Sequence, residues 1–222
     1  MNKVISFIRL DLYTIKPYRK SLYFYMALGL IMAIAFKSLS ILSSFFMVSL
    51  VLIMAYPFTI SEKNGMETLY STLSLRRKNV VIGRYGFVLF IETISIIYMS
   101  VVAALLSTFF TIDFSMKETL LTLSMLSMVF SFIISLQYPF FFRFGYTKAR
   151  TLANIPVFVI VLALGILPNL MEKSWIFQSW NTFSQVAEAN PILLFFLPLA
   201  SGMLALTVSC FIACRLYGKR DL

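Results

Sequence analysis

Long apolar runs divided by short charged segments account for almost the whole chain. Six of them read as membrane spans: Ser21–Phe36, Ser38–Ser61, Tyr85–Ile112, Thr119–Phe142, Thr151–Met171 and Ala189–Cys214. A helix needs about 20 apolar residues to cross a hydrocarbon core of roughly 30 Å. The first run falls short of that length, so Tyr18 and the stems of Arg19 and Lys20 are expected to complete its crossing. Glu92 alone interrupts the third. The runs are apolar on all sides and carry no amphipathic face that would orient them within a bundle.

Helical periodicity with a polar face returns between the runs. Met1, Val4, Ile5, Ile8, Leu12 and Ile15 fall on one arc of a helix. Asn2, Lys3, Ser6, Arg9 and Lys16 lie opposite, with Phe7 and Leu10 as imperfections. Residues 1–20 therefore read as an interfacial helix that Pro17 turns into the first span, with no cleavable leader. Within 62–84, Met66, Leu69, Tyr70 and Leu73 form an i, i+3, i+4, i+7 stripe, with Asn64 expected as N-cap and Glu67 at the third helical position. A cytoplasmic insertion of this length exceeds what joining two packed helices requires. It reads as a helix that meets a partner or rests on the bilayer.

Composition narrows the class. The 222 residues are 60% hydrophobic, more than a soluble domain of this size can bury, so the fold class is all-α integral membrane. There is no His and only two Cys, which sets aside zinc sites, His-based catalysis and a disulfide framework. Cys210 and Cys214 read as small packing residues near the end of the last span. The net charge of +10 does not point to nucleic acid, because the cations lie between apolar runs. All Lys and Arg except Lys37, Lys117 and Lys173 fall in 1–20, 62–84, 143–150 and 215–222, on one side of the six-span plan. The positive-inside rule makes that side, and both termini, cytoplasmic.

Several features sit inside the spans. Glu92 costs about 2.5–3.5 kcal/mol if ionised at the bilayer centre, so it lines a pathway or accepts a hydrogen bond from a neighbouring helix. Pro57, Pro139 and Pro198 are expected to kink their helices. Tyr56-Pro57-Phe58 and Tyr138-Pro139-Phe140 repeat one tripeptide near the cytoplasmic ends of two spans. Gly29, Ala33 and Ala35 form a small-residue cluster suited to dimerisation. Residues 168–190, with Trp175, Phe177, Trp180 and Phe183, are expected to form short interfacial or re-entrant helices as an extracytoplasmic cap.

Two spans are followed by Glu62…Gly65…Glu67, then by Leu73-Ser-Leu-Arg-Arg-Lys-Asn-Val-Val-Ile-Gly83-Arg84-Tyr85 and the third span. Pro139-Phe-Phe-Phe-Arg143-Phe-Gly145-Tyr-Thr-Lys148-Ala-Arg150 joins the fourth and fifth. In these segments and in its six-span plan the chain resembles the ABC-2 type transporter permeases. It is most similar to a permease subunit of the phenol-soluble modulin exporters of Gram-positive bacteria. The resemblance implies a single transmembrane domain in a bacterial cell membrane, paired with a second permease as homo- or heterodimer and surrounded by lipid. It also implies an amphipathic peptide substrate, and ABC ATPase subunits that hold the ATP and Mg. Glu62, Lys63, Glu67, Leu69, Tyr70 and Leu73 would then form the contact with the ATPase. The chain carries no G-x-x-x-x-G-K-[ST], so phosphate cradling falls to a partner. The competing reading is a self-contained carrier or a peptide-immunity protein that works without ATP, with Glu92 as its mechanistic handle.

Overall fold

The computed structural model describes residues 3–36, 39–66, 76–110, 116–153, 155 and 191–219, and every element among them is helical. The order is α1 (Lys3–Ile15), a 3-10 turn (Lys16–Tyr18), α2 (Arg19–Phe36), α3 (Leu39–Met54), α4 (Tyr56–Lys63), α5 (Arg77–Phe110), α6 (Met116–Phe144) and α7 (Pro191–Gly218). Among the described residues four stretches are long and apolar enough to cross a membrane: Leu42–Lys63, Arg77–Leu106, Thr119–Phe144 and Phe195–Gly218. A fifth is added if the bent pair Ile5–Tyr18 and Tyr23–Phe36 counts as one span. The six-span plan is thus met only to that extent. Nearly all of Thr151–Met171 and all of 168–190 lie outside the described residues. Ile97, Leu105, Phe109, Leu204 and Phe211 are exposed on the outer faces, so the medium around the bundle is lipid and the protein is multi-pass.

Proline sets two of the breaks. Pro17 sits in the 3-10 turn just before a 68° bend between Ile5–Tyr18 and Tyr23–Phe36. Pro57 lies in the first turn of α4, where its missing N–H is tolerated but cannot continue α3. The second predicted span is accordingly α3 and α4 in series. By contrast, α6 runs through Pro139 and α7 through Pro198 as continuous helix.

Small residues let the helices approach. A Cβ on Gly202 of α7 would lie 3.0 Å from the Ser131 Cβ of α6, and these two helices form the most extensive pair. A Cβ on Gly29 would lie 3.2 Å from the Phe45 Cβ, and Ala33 is fully buried, so both serve packing of α2 on α3. The expected dimerisation cluster is therefore spent inside the chain, with only Ala35 left exposed. Cys210 and Cys214 are free and pack against the core, as expected.

The leader helix differs most from expectation. Phe7, an imperfection on the wheel, is buried together with Asp11, while Ile5 and Leu12 of the apolar arc are exposed. The cause is α5: Gly83 and Gly86 leave a notch one helical turn long, filled by Phe7 and Ile8. A Cβ on Gly83 would come within 2.6 Å of the Phe7 Cβ, an atom too close to its backbone to swing away. Gly83→Ala should therefore lift α1 from α5 and cost about 1–3 kcal/mol. Faster tryptic cleavage after Arg9, with a lower melting temperature, is the expected result; unchanged cleavage would show that α1 docks by other contacts.

Candidate functional site

The 62–84 segment is only partly a loop. Its first residues end α4 and its last ones are the opening turns of α5, a 34-residue helix of about 51 Å that overreaches the hydrocarbon core. Asn64 follows the last residue of α4, donating its N–H to the Ile60 carbonyl at 3.0 Å, and helix resumes at Met66, two residues past this expected N-cap. Gly65 then takes φ 60°, the left-handed conformation that favours glycine after a helix end. Glu67, Leu69, Tyr70 and Leu73 lie outside the described residues.

Both ends of the segment are fastened to the bundle. At the entrance, Glu62 Oε2 accepts the Thr147 N–H at 3.0 Å. Thr147 lies at the start of the helical stretch 146–153, which begins after Gly145 (φ 77°), so the carboxylate meets the positive end of a helix. Lys63 beside it is exposed. At the exit, Arg77 donates to the carbonyls of Tyr217 (3.3 Å) and Gly218 (3.2 Å), capping the C-terminus of α7.

Between the two fastenings lies a buried cationic and aromatic cluster. Arg84 donates to Ser61 Oγ and to the Pro57 carbonyl (3.3 Å), and its guanidinium lies 4.0 Å from the ring centre of Phe58. Phe58 is the centre of the cluster, with Tyr138 and Phe142 each at 4.9 Å and Phe141 at 5.1 Å. Tyr138 O–H donates to the Met54 carbonyl at 3.2 Å, satisfying a group left over where α3 ends. Ser209 Oγ gives its single proton to the Ser135 carbonyl, so at 2.6 Å the Tyr85 hydroxyl donates to it. Helices α4, α5, α6 and α7 thus share one polar and aromatic junction. Asp11 of α1 is buried nearby, 1% exposed, within the electrostatic reach of Arg84, and its Oδ2 has no hydrogen-bond partner among the described residues.

Glu92 lies two turns deeper on α5, 7% exposed. Ser127 and Ser131 of α6 both donate to its Oε1, the latter at 2.8 Å. Of the two readings open from sequence, the geometry supplies the interhelical hydrogen bond. The three expected kink prolines separate in the same way: Pro57 builds the junction, while Pro139 and Pro198 sit in continuous helices.

Sequence reasoning missed Arg84, Phe58, Tyr138 and Asp11 as a group. The repeated Tyr-Pro-Phe tripeptides were a signal, since each contributes one ring to the Phe58–Tyr138 pair. So were Ser127 and Ser131, an i, i+4 polar pair inside an apolar run.

Comparison with known proteins gave one family: a model described as ABC-2 family transporter protein matches residues 6–218. No curated protein and no solved structure matches the chain.

Proposed function

The chain belongs to the ABC-2 transporter family, a membrane component of transporters driven by ABC ATPase subunits, and from that premise we propose that it exports amphipathic peptides, with 62–84 as the segment that receives the ATPase stroke. Glu62, Lys63, Glu67, Leu69, Tyr70 and Leu73 meet the ATPase, which binds and hydrolyses Mg-ATP. A second permease, identical or different, completes the pathway, and both termini face the cytoplasm. The observation that carries the coupling reading is the double fastening of the segment. Its entrance is tied to 146–153 through Glu62, its exit to α7 through Arg77, and both ends border the Arg84–Phe58 junction. A displacement of the loop is therefore delivered to several helices at once rather than absorbed by a slack connection.

The peptide cargo rests on the resemblance in the cytoplasmic segments together with a Phe- and Met-rich interior, since such side chains repack around varied apolar shapes. Purification from native membranes in mild detergent, with mass spectrometry of the co-purifying chains and an ATPase assay, tests the reading. An ATPase subunit should be recovered with the wild type. Leu73→Asp should reduce that recovery by about tenfold or more, because a charge is forced into an apolar contact (1.4 kcal/mol is tenfold), while leaving membrane insertion intact. Recovery of the chain alone, without ATPase activity, would favour a self-contained carrier or immunity module. Efflux of an amphipathic helical peptide from cells, lost in the same variant, is the expected sign of the cargo class; wild-type efflux in Leu73→Asp would defeat the coupling assignment.

A further inference from the structure

A cleft of about 580 Å³ opens beside α1. Its rim carries Arg9 and Tyr13 of α1, Lys16 of the 3-10 turn that follows and Tyr23 of α2, all exposed; its floor is Leu50 and Ile53 of α3 with Phe87 and Ile91 of α5. Arg9, Tyr13 and Lys16 share one helical face, the two cations about 10 Å apart along the axis. Neither cation makes a hydrogen bond or ion pair among the described residues. Leu50, Ile53, Phe87 and Ile91 make that floor wholly apolar, and each pair spans about one helical turn.

Two cations at the mouth and an aliphatic wall behind them match a ligand with an anionic head and a hydrocarbon tail. We propose that this cleft binds one anionic membrane phospholipid, its phosphate held between Arg9 and Lys16 and one acyl chain lying against Leu50, Ile53 and Ile91. A free phosphate would leave the apolar floor unused, and a zwitterionic lipid would bring its own cation to the cationic rim. Tyr13 and Tyr23 supply hydroxyl donors at headgroup level, where tyrosine is favoured. Basic pockets between membrane helices are suited to anionic headgroups on the same electrostatic grounds. The lipid would bridge α1 to α2, α3 and α5, and the site requires nothing of the ATPase or the cargo.

Native mass spectrometry of the full chain, exchanged into micelles doped with equal amounts of phosphatidylglycerol and phosphatidylcholine of the same acyl composition, tests it. One phosphatidylglycerol per chain should survive desolvation in preference to phosphatidylcholine. Each cation near the phosphate is worth about fivefold in binding, so Arg9→Gln with Lys16→Gln should cut retention about 25-fold. Arg9→Lys with Lys16→Arg should keep it, since the charges remain. Ile91→Trp, which fills the tail groove and leaves both cations in place, should also lower it. If Ile91→Trp does not fold, the Gln and the charge-keeping exchanges at two exposed positions decide the matter by themselves. Equal retention of the two lipids by the wild type, or undiminished retention in the double Gln variant, would overturn the proposal. So would displacement by millimolar inorganic phosphate, which would make the site one for free phosphate, or by an amphipathic helical peptide, which would make it a cargo site.

Discussion

Arg84→Leu should lower the apparent melting temperature of the detergent-solubilised protein by about 10 °C. Three losses add up at this position. Ser61 Oγ and the Pro57 carbonyl lose their buried donor, and Phe58 loses the guanidinium held 4.0 Å above its ring. Asp11, without a partner on Oδ2 among the described residues, loses the positive charge that offsets its own. Removing one member of a buried charge arrangement costs about 3–5 kcal/mol. For a chain of this length each kcal/mol corresponds to about 2–4 °C. Arg84→Lys should fall between, because an ammonium cannot both reach two acceptors in a plane and stack on Phe58 as a guanidinium does. A melting temperature within about 2 °C of wild type for the Leu variant would show that the junction is not what holds α4 to α5.

The second large effect is a coupling. Asp11→Asn alone makes the buried group cheaper to desolvate but takes from buried Arg84 the negative charge that faces it, so the two changes oppose each other and the net shift in the wild type should stay within about 1 kcal/mol. Combining the two substitutions separates the electrostatic part from packing. With Arg84 already Leu, Asp11→Asn should recover more than it gains in the wild type, because it then removes a wholly uncompensated charge. A coupling of about 1 kcal/mol or more between the two sites is expected from residues that share one buried cluster. Strict additivity of the two substitutions would remove Asp11 from the cluster. Thermal scans at a single fixed rate are the appropriate measurement, since unfolding from detergent is commonly irreversible.

Much of the site lies next to residues that carried the family resemblance. Gly65 and Gly145 take positive φ at the two helix ends they terminate, and Gly83-Arg84-Tyr85 supplies in succession the notch for α1, the central cation and the hydroxyl tied to Ser209. Composition and charge placement were enough for an all-helical membrane protein with Pro17 and Pro57 as break points, because apolar length and a missing N–H act locally. The inward face of α1 was not legible. Its wheel offers a good apolar arc, yet Phe7 and Asp11 are the buried residues, and the notch that receives Phe7 lies on α5 some 75 residues away. Gly29 and Ala33 likewise show a small-residue signature whose recipient, α3 or another chain, is a matter of which helix lies beside it.

What the sequence by itself determined is the set of properties that depend on short range: helix formation, the placement of the four long apolar spans among the described residues, the break at Pro57, and the absence of a nucleotide-binding loop. Only the tertiary structure decided which polar groups inside the bundle meet. Glu92 found Ser127 and Ser131, Tyr138 found the Met54 carbonyl, and Arg84 found Ser61 and Phe58. Spans that are apolar on every face carry no periodic signal to fix their rotation, so neighbours are selected by shape and by the few polar groups that must be satisfied away from water.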